Sequence, residues 1–437
     1  MSEQPPVKWL TRWKALGLSV FGIALISVAL FSWYYYSTTD LVRVRAEAKA
    51  LGIPTTWAET GIVVSSPEVI EIFKRIGALS ASLKDYDSLA ITGKIKVGKA
   101  ERLKPYLPIP QAAFDHHASL DPVIIAEYLD LMDRLPREAV VLKNERTLTT
   151  FYPQIGWARQ IVRYQGERIL LAAPDQVAHE VDRALHYLEI QDCHSWMELL
   201  VNVSMTEIIM GQTSGRFSEL KSRMPELADR LNRFADAMDP MQVNAFVGEF
   251  LNRSAVIEKT DQIAAGRMGG LLGGWGMFSS AWQQIFFGPM VRAGRETLLR
   301  HEIDWIQILQ RHPSPTELIA SAKRINVEYK DLSSWMPNEA LTKMMISAPS
   351  VIFEQTLRCQ LRLRLMAAEL RGQPWPVDPY DPSGKPLRPF LRDGKLMGAY
   401  SVHQDGVDDG GKKFKDRYFP LYGPLEALVM VPEPTAP

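Results

Sequence analysis

Cysteine is scarce: Cys193 and Cys359 are the only two in 437 residues. That excludes a disulfide-built scaffold and a four-cysteine zinc site. Neither sign of charge prevails, with 50 Lys and Arg against 50 Asp and Glu. A neutral chain lacks the basic surface that nucleic acid binding needs for its phosphates, so no nucleic-acid partner is expected. Residues 1–14 hold three basic groups and one acidic group, 371–437 hold nine of each, and the middle holds 38 and 40. Neutrality is therefore not two opposite halves cancelling. With 46% hydrophobic and 23% charged residues, the chain fits neither a disordered nor a polytopic membrane protein. Its length leaves room for two or three domains. Two motifs are also missing: a GxSxG nucleophile elbow and a GxxxxGK[ST] phosphate loop.

One stretch lacks charge altogether. Residues 15–33 carry apolarity on Leu16, Leu18, Val20, Phe21, Ile23, Leu25, Ile26, Val28, Leu30 and Phe31. As a helix this run spans roughly 28 Å, near the hydrocarbon thickness of a bilayer. Trp9 and Trp13 precede it, and Trp33, Tyr34, Tyr35 and Tyr36 follow, as interfacial aromatic belts would. A cleaved signal peptide and a buried core helix are the competing readings; the run is long for an ordinary signal. The segment thus predicts a signal anchor over 15–36, with a cytoplasmic tail over 1–14 beside Lys8, Arg12 and Lys14. It implies a single-pass inner-membrane protein, with the lipid bilayer as a partner and the bulk of the chain outside the cytoplasm. A second uncharged stretch, 268–291, is rich in glycine and contains Gln283, Gln284 and Pro289, so it reads as packing.

The rest reads as mainly α, with helical hairpins over 37–348 and a helix plus a small β-rich lobe over 349–437. Helix starts show as Pro behind a cap at Ser66-Pro67, Asp121-Pro122, Asp239-Pro240 and Ser314-Pro315, the last with Glu317 completing a capping box. Apolar residues recur at helical spacing at Ile124, Ile125, Tyr128, Leu129 and Met132, and at Val177, Val181, Ala184, Leu185 and Leu188. Phe246, Phe250 and Leu251 do the same. Short strand signals lie at 90–97, 139–142 and 169–172. A long amphipathic helix is expected over 349–370, before the proline-rich run from Pro374 to Pro389 stops it.

The ending carries a resemblance. Asp378-Pro379-Tyr380-Asp381-Pro382-Ser383-Gly384-Lys385-Pro386-Leu387, then Ala399-Tyr400-Ser401-Val402, then Asp405-Gly406-Val407-Asp408-Asp409-Gly410-Gly411 resembles the end of the type II secretion major pseudopilin. The layout is also similar to that of uncharacterised bacterial proteins with an N-terminal anchor, a helical middle and this tail. In the pseudopilin family a DP-x-G-x-P turn leads into strands, and a Tyr-Ser strand leads into a calcium-binding Asp-Gly loop. The resemblance therefore implies calcium at Asp405, with Asp408 and Asp409 as further ligands. The plain alternative is a polar turn, since Asp-Gly suits positive φ. The chain has no Gly-Phe-type peptidase site near Lys14 and no Glu just inside the apolar run, so prepilin processing is not implied. His403 stands where the family commonly has Gly.

Other constellations are thinner. His301-Glu302-Ile303-Asp304-Trp305 starts like a zincin helix, but Trp305 stands where the second zinc ligand must be. Asp115-His116-His117 reads as a polar loop, and His186 and His194 as core or solvated histidines. Cys193 and Cys359 read either as a bridge or as two buried thiols. Met205, Met210, Met344 and Met345 read as core filler. With no catalytic set in the sequence, the leading expectation is a membrane-anchored scaffold or interaction module of the bacterial envelope, with an envelope protein as partner. A hydrolase of an envelope polymer, its carboxylates meeting only in space, and a component of a secretion or pilus-like machine are the alternatives.

Overall fold

Helices begin where capping side chains can take up their free N–H groups. Ser66 Oγ accepts from Val69 N at 3.4 Å, and Asp121 Oδ1 accepts from Val123 N at 2.9 Å. Ser314 Oγ accepts from Glu317 N at 3.3 Å while Glu317 Oε2 accepts from Ser314 N at 2.8 Å. These are the predicted caps and the predicted capping box. A related arrangement opens a further helix: Ser195 Oγ accepts from Glu198 N at 3.2 Å, while Glu198 Oε2 accepts from the backbone N–H of His194, one residue before the cap, at 2.9 Å.

The computed structural model describes residues 22, 25–27, 29, 42–83, 111–141, 153–191, 193–223, 226–264, 298–330, 337–392, 394–402, 408, 410 and 417–422. In chain order the elements are α1 (42–50), a 3-10 turn at Trp57–Thr60, α2 (Pro67–Ser80), α3 (Gln111–Ser119), α4 (Pro122–Asp133) and α5 (Pro153–Leu171). Next come α6 (Val177–Glu189), α7 (Trp196–Gly215), α8 (Phe217–Arg223), α9 (Leu227–Ala264), α10 (298–310), α11 (Pro315–Lys330) and α12 (Pro337–Arg371). Three strands close the described chain: β1 (Arg388–Arg392), β2 (Lys395–Ser401) and β3 (Arg417–Pro420).

α7 is the centre. Leu199, Val201, Val203, Met205, Ile209 and Met210 are buried on several of its faces. A helix apolar most of the way round must be surrounded, and α7 packs against α5, α6, α9 and α12. α9 and α12 form the largest helix pair, while α2 leans on α5 and α4. The strands form an antiparallel meander in the order β1-β2-β3. The meander is tied to the body by Ser214 Oγ on Pro420 O at 3.1 Å and by Tyr422 against Phe217. One hydrophobic cluster runs from Val44 to Leu421 and includes Leu387, Ala399 and Phe419 from the β lobe. The mainly helical class with a small C-terminal sheet is as expected.

Several expectations are corrected. Among the described residues, no helix is long and apolar enough to cross a membrane, so a single-pass inner-membrane protein is not supported. The long helices α9 and α12 are amphipathic, with charged groups spaced along them that a bilayer would exclude. Of the expected anchor over 15–36, only 22, 25–27 and 29 are described, all helical; the remainder lies outside the described residues. Pro240 does not open a helix but lies inside α9. Gln360 Nε2 on α12 donates to Ala235 O at 3.0 Å and to Asp239 Oδ1 at 2.6 Å, supporting the turn that the proline disturbs. The last long helix begins at Pro337 rather than 349. Residues 169–171 finish α5 instead of forming a strand, because Ile169 and Leu170 continue its buried side. Asp115, His116 and His117 lie on α3, not in a loop. Near 139–142 the strand signal comes down to one parallel bridge, Val140 to Gln191. The segments 90–97 and 268–291 lie outside the described residues.

Candidate functional site

Pieces of four segments meet around a cleft of about 440 Å³: 54–63, 139–141, 189–194 and 241–248, with Gln310 at one edge. Short backbone contacts build its frame. Val140 N donates to Ile190 O at 2.8 Å, and Ser65 N donates to Val141 O at 3.0 Å. Val141 N in turn donates to Ser65 Oγ at 3.0 Å. Residues 62–65 and 139–141 are non-helical, and Val140 forms one parallel bridge to Gln191, so a helical body presents a short stretch of bridged backbone here. α9 closes against the patch at Gly248, where a Cβ would stand only 2.0 Å from the His194 carbonyl oxygen. Only glycine permits that approach.

The walls are mostly apolar, with Trp57, Ile62, Val63, Val141, Val243 and Val247 among them. Val63 is 80% exposed, and the next residue, Val64, is exposed as well. Among the described residues, the one carboxylate lining the cleft is Glu189. Burial pushes its carboxyl up, against the pull of Arg230, whose Nη2 stands 2.9 Å from Oε2. Arg230 is also held by Asp182 at 2.8 Å. His194 turns its ring edge-on to Trp57, and its backbone N–H donates to Glu198 Oε2 at 2.9 Å. Cys193 and Cys359 are both free thiols and both buried. Burial pushes the Cys359 thiol well up, which leaves it in the inert protonated form. Acid hydrolysis of a glycan needs two carboxylates facing each other across the substrate. The cleft has one, and it is already paired.

The C-terminal turn gathers the other polar set. Gly384, at φ +66°, closes the Asp378–Leu387 turn, in which Asp378 N donates to Lys385 O and Gly384 N to Asp381 O. Asp378 is 1% exposed. Its Oδ1 accepts from Ser401 Oγ at 2.8 Å and Tyr380 N at 3.0 Å, and its Oδ2 accepts from Val402 N at 2.9 Å. Asp381 Oδ1 accepts from Ser383 N at 2.7 Å and from Ser383 Oγ. These bonds, with the Arg388 guanidinium next, hold the Asp381 carboxyl down to about 2. The turn and the Tyr-Ser strand that carry the resemblance are thus bound to each other.

Arg388 joins the set. Its Nε stands 2.7 Å from Asp408 Oδ2, its Nη1 3.5 Å from Asp378 Oδ2, and its Nη2 bonds Asp381 Oδ2. Asp408 Oδ1 accepts from Tyr400 OH and Gly410 N, each at 3.0 Å. Of the three expected calcium ligands, Asp408 therefore has both oxygens engaged, while Asp405 and Asp409 lie outside the described residues. Among the described residues, no group of three or more His, Cys, Asp or Glu is arranged to hold a metal ion.

The remaining candidates resolve into local packing. Trp305 Nε1 donates to His301 Nε2 at 3.2 Å, so the residue standing in the second ligand position binds the first. His117, on α3, stacks on Tyr164 and places Nδ1 3.9 Å from Glu167 Oε1. Burial, with Arg168 nearby, pushes the imidazole down. That separation exceeds hydrogen-bond reach, so Glu167 does not orient the ring as a triad carboxylate would. His186 Nε2 contacts the Leu135 carbonyl at 3.2 Å. Met205 and Met210 are buried filler, and the side chains of Met344 and Met345 lie outside the description. The cleft escaped the sequence reading because its walls lie almost 200 residues apart along the chain; only the short apolar run at 139–142 pointed toward it. Compared with known proteins, the chain matches no protein-family model, no curated protein and no solved structure.

Proposed function

We propose that the protein is a non-catalytic interaction module whose cleft receives an extended, apolar peptide segment of a partner protein. The observation that carries this reading is the cleft's makeup: apolar walls around non-helical backbone at 62–65 and 139–141, bridged once at Val140, with Val63 standing 80% exposed. Extended peptides dock on such edges by main-chain hydrogen bonds, and alternate side chains enter apolar pockets. The polar side chains that could do chemistry are engaged structurally: Glu189 by Arg230, and Asp378, Asp381 and Asp408 by Arg388. A second reading, a component of a type II secretion or pilus-like machine, is supported by the resemblance segments folding onto one another through Asp378, Ser401 and Val402.

The test is selection of peptides from a random display library on the intact chain. Selected peptides should alternate apolar residues and bind with micromolar affinity. Val63→Asp, at a solvent-exposed position, should weaken them by about tenfold or more. Peptides indifferent to Val63→Asp and to Met241→Lys, the latter on the α9 wall of the cleft, or turnover of a polysaccharide by the purified chain, would overturn the proposal.

A further inference from the structure

The resemblance places calcium in the tail, and the geometry points to a different cation. We infer that the Arg388 guanidinium is the built-in cation of the C-terminal lobe, fixed by the chain in the place where a divalent ion would gather these carboxylates. Three carboxylates from two stretches of chain converge on one planar group: Asp378 and Asp381 from the turn, and Asp408 from beyond β2. Arginine suits this position because its five N–H donors lie in one plane and it stays charged at every physiological pH. The side chain is only 16% exposed, so the guanidinium sits inside the cluster rather than over it.

The oxygens turned away from Arg388 are also spoken for. Asp378 Oδ1, Asp381 Oδ1 and Asp408 Oδ1 each accept from two N–H or O–H groups. Calcium takes six to eight oxygens at about 2.3–2.6 Å and cannot use oxygens that already face hydrogen donors. A divalent ion at the centre would also meet the guanidinium itself. The cluster as built therefore does not fit calcium. It does the work of a calcium site without one, and this cluster needs no calcium to hold the 378–402 fold.

The experiment is hydrogen–deuterium exchange on the full chain, read in peptides covering 378–402. With EGTA, or with millimolar calcium chloride, the wild-type lobe should exchange at one rate. Arg388→Gln should exchange about tenfold faster in that stretch, since three buried or half-buried carboxylates lose their shared partner. Arg388→Lys, which keeps the charge and loses the fork, should fall between the two. Slower wild-type exchange on adding calcium, or faster exchange on adding EGTA, would overturn the inference, and so would an Arg388→Gln lobe that exchanges like wild type. Should Arg388→Gln unfold the whole chain, the wild-type arm still decides. Failure here leaves the cleft reading untouched, because no cleft residue takes part.

Discussion

Arg253 and Arg388 each collect carboxylates, and they do so in opposite ways. Arg253 on α9 lies at the heart of the helical body, 3% exposed, between Glu249 at 2.9 Å and Glu302 at 2.9 Å. Its guanidinium also lies over the Trp196 ring, 4.3 Å from the centroid. Glu302 is fully buried, and neither of its oxygens makes a well-aligned hydrogen bond among the described residues. Arg388, by contrast, sits at the edge of the fold among carboxylates whose remaining oxygens are met by backbone and hydroxyl donors. The first cluster relies chiefly on one cation, with the Trp196 backbone N–H as a further donor to Glu249. The second distributes it over many local bonds. A buried charge with a single partner is costly to orphan, whereas a satisfied polar network loses one bond at a time.

The largest effect should therefore come from breaking the body cluster. Arg253→Met should cost about 3–5 kcal/mol of unfolding free energy, because two buried carboxylates lose their counter-charge together. Urea unfolding of the intact chain measures it. Adding Glu302→Leu should restore part of the loss, since an apolar pair of similar volume needs no compensation. A cost below about 1 kcal/mol would place Arg253 among ordinary surface substitutions and dissolve the contrast with Arg388.

A smaller and more local effect is expected from Asp378→Asn. The amide keeps the shape but sets an NH2 group against an N–H or hydroxyl donor, at a cost of about 1–3 kcal/mol. Because its partners are Tyr380, Ser401 and Val402, exchange should quicken across 378–402 and stay unchanged in α9. Quickening spread evenly through the body would show that the lobe and the helices unfold as one unit.

The same contrast explains what could be read from the sequence. The lobe cluster is local: Asp378, Asp381 and Arg388 lie within eleven residues, and the turn around Gly384 was legible as such. The caps at Ser66, Asp121 and Ser314 were legible for the same reason, since each is settled within a few residues. Pro240 misled because α9 runs on through it, with nearby Ala235 and Asp239 held by Gln360, on a helix more than a hundred residues later. Residues 169–171 misled because a short apolar run looks alike in a buried strand and a buried helix. The mainly helical class followed from 3.6-residue spacing. Neither the Arg253 cluster nor the cleft has a local signature, because both exist only once α7, α9 and their neighbours are packed.

The smallest effect is in the acid response, where the two clusters should differ in sign. Burial, reinforced by Glu302, raises the Glu249 carboxyl above its ordinary 4.5 despite Arg253. A carboxyl raised on folding holds its proton more tightly in the folded state. Its unfavourable contribution is present at neutral pH and is relieved as pH falls through the raised value toward 4.5. Asp381 is the reverse: held at about 2 by Ser383 and Arg388, it stabilises above its ordinary 3.8 and loses that contribution as pH falls toward 2. Comparing urea midpoints of wild type and Glu249→Gln across pH isolates the first contribution, and wild type against Asp381→Asn isolates the second. The Glu249 difference should favour wild type increasingly as pH falls from neutral toward 4.5, and the Asp381 difference should shrink between about 4 and 2. His117, lowered by burial, titrates identically on both sides of each comparison and drops out. If the two differences run in the same direction, Glu249 is as well compensated as Asp381, and the distinction between a singly and a multiply satisfied cluster fails.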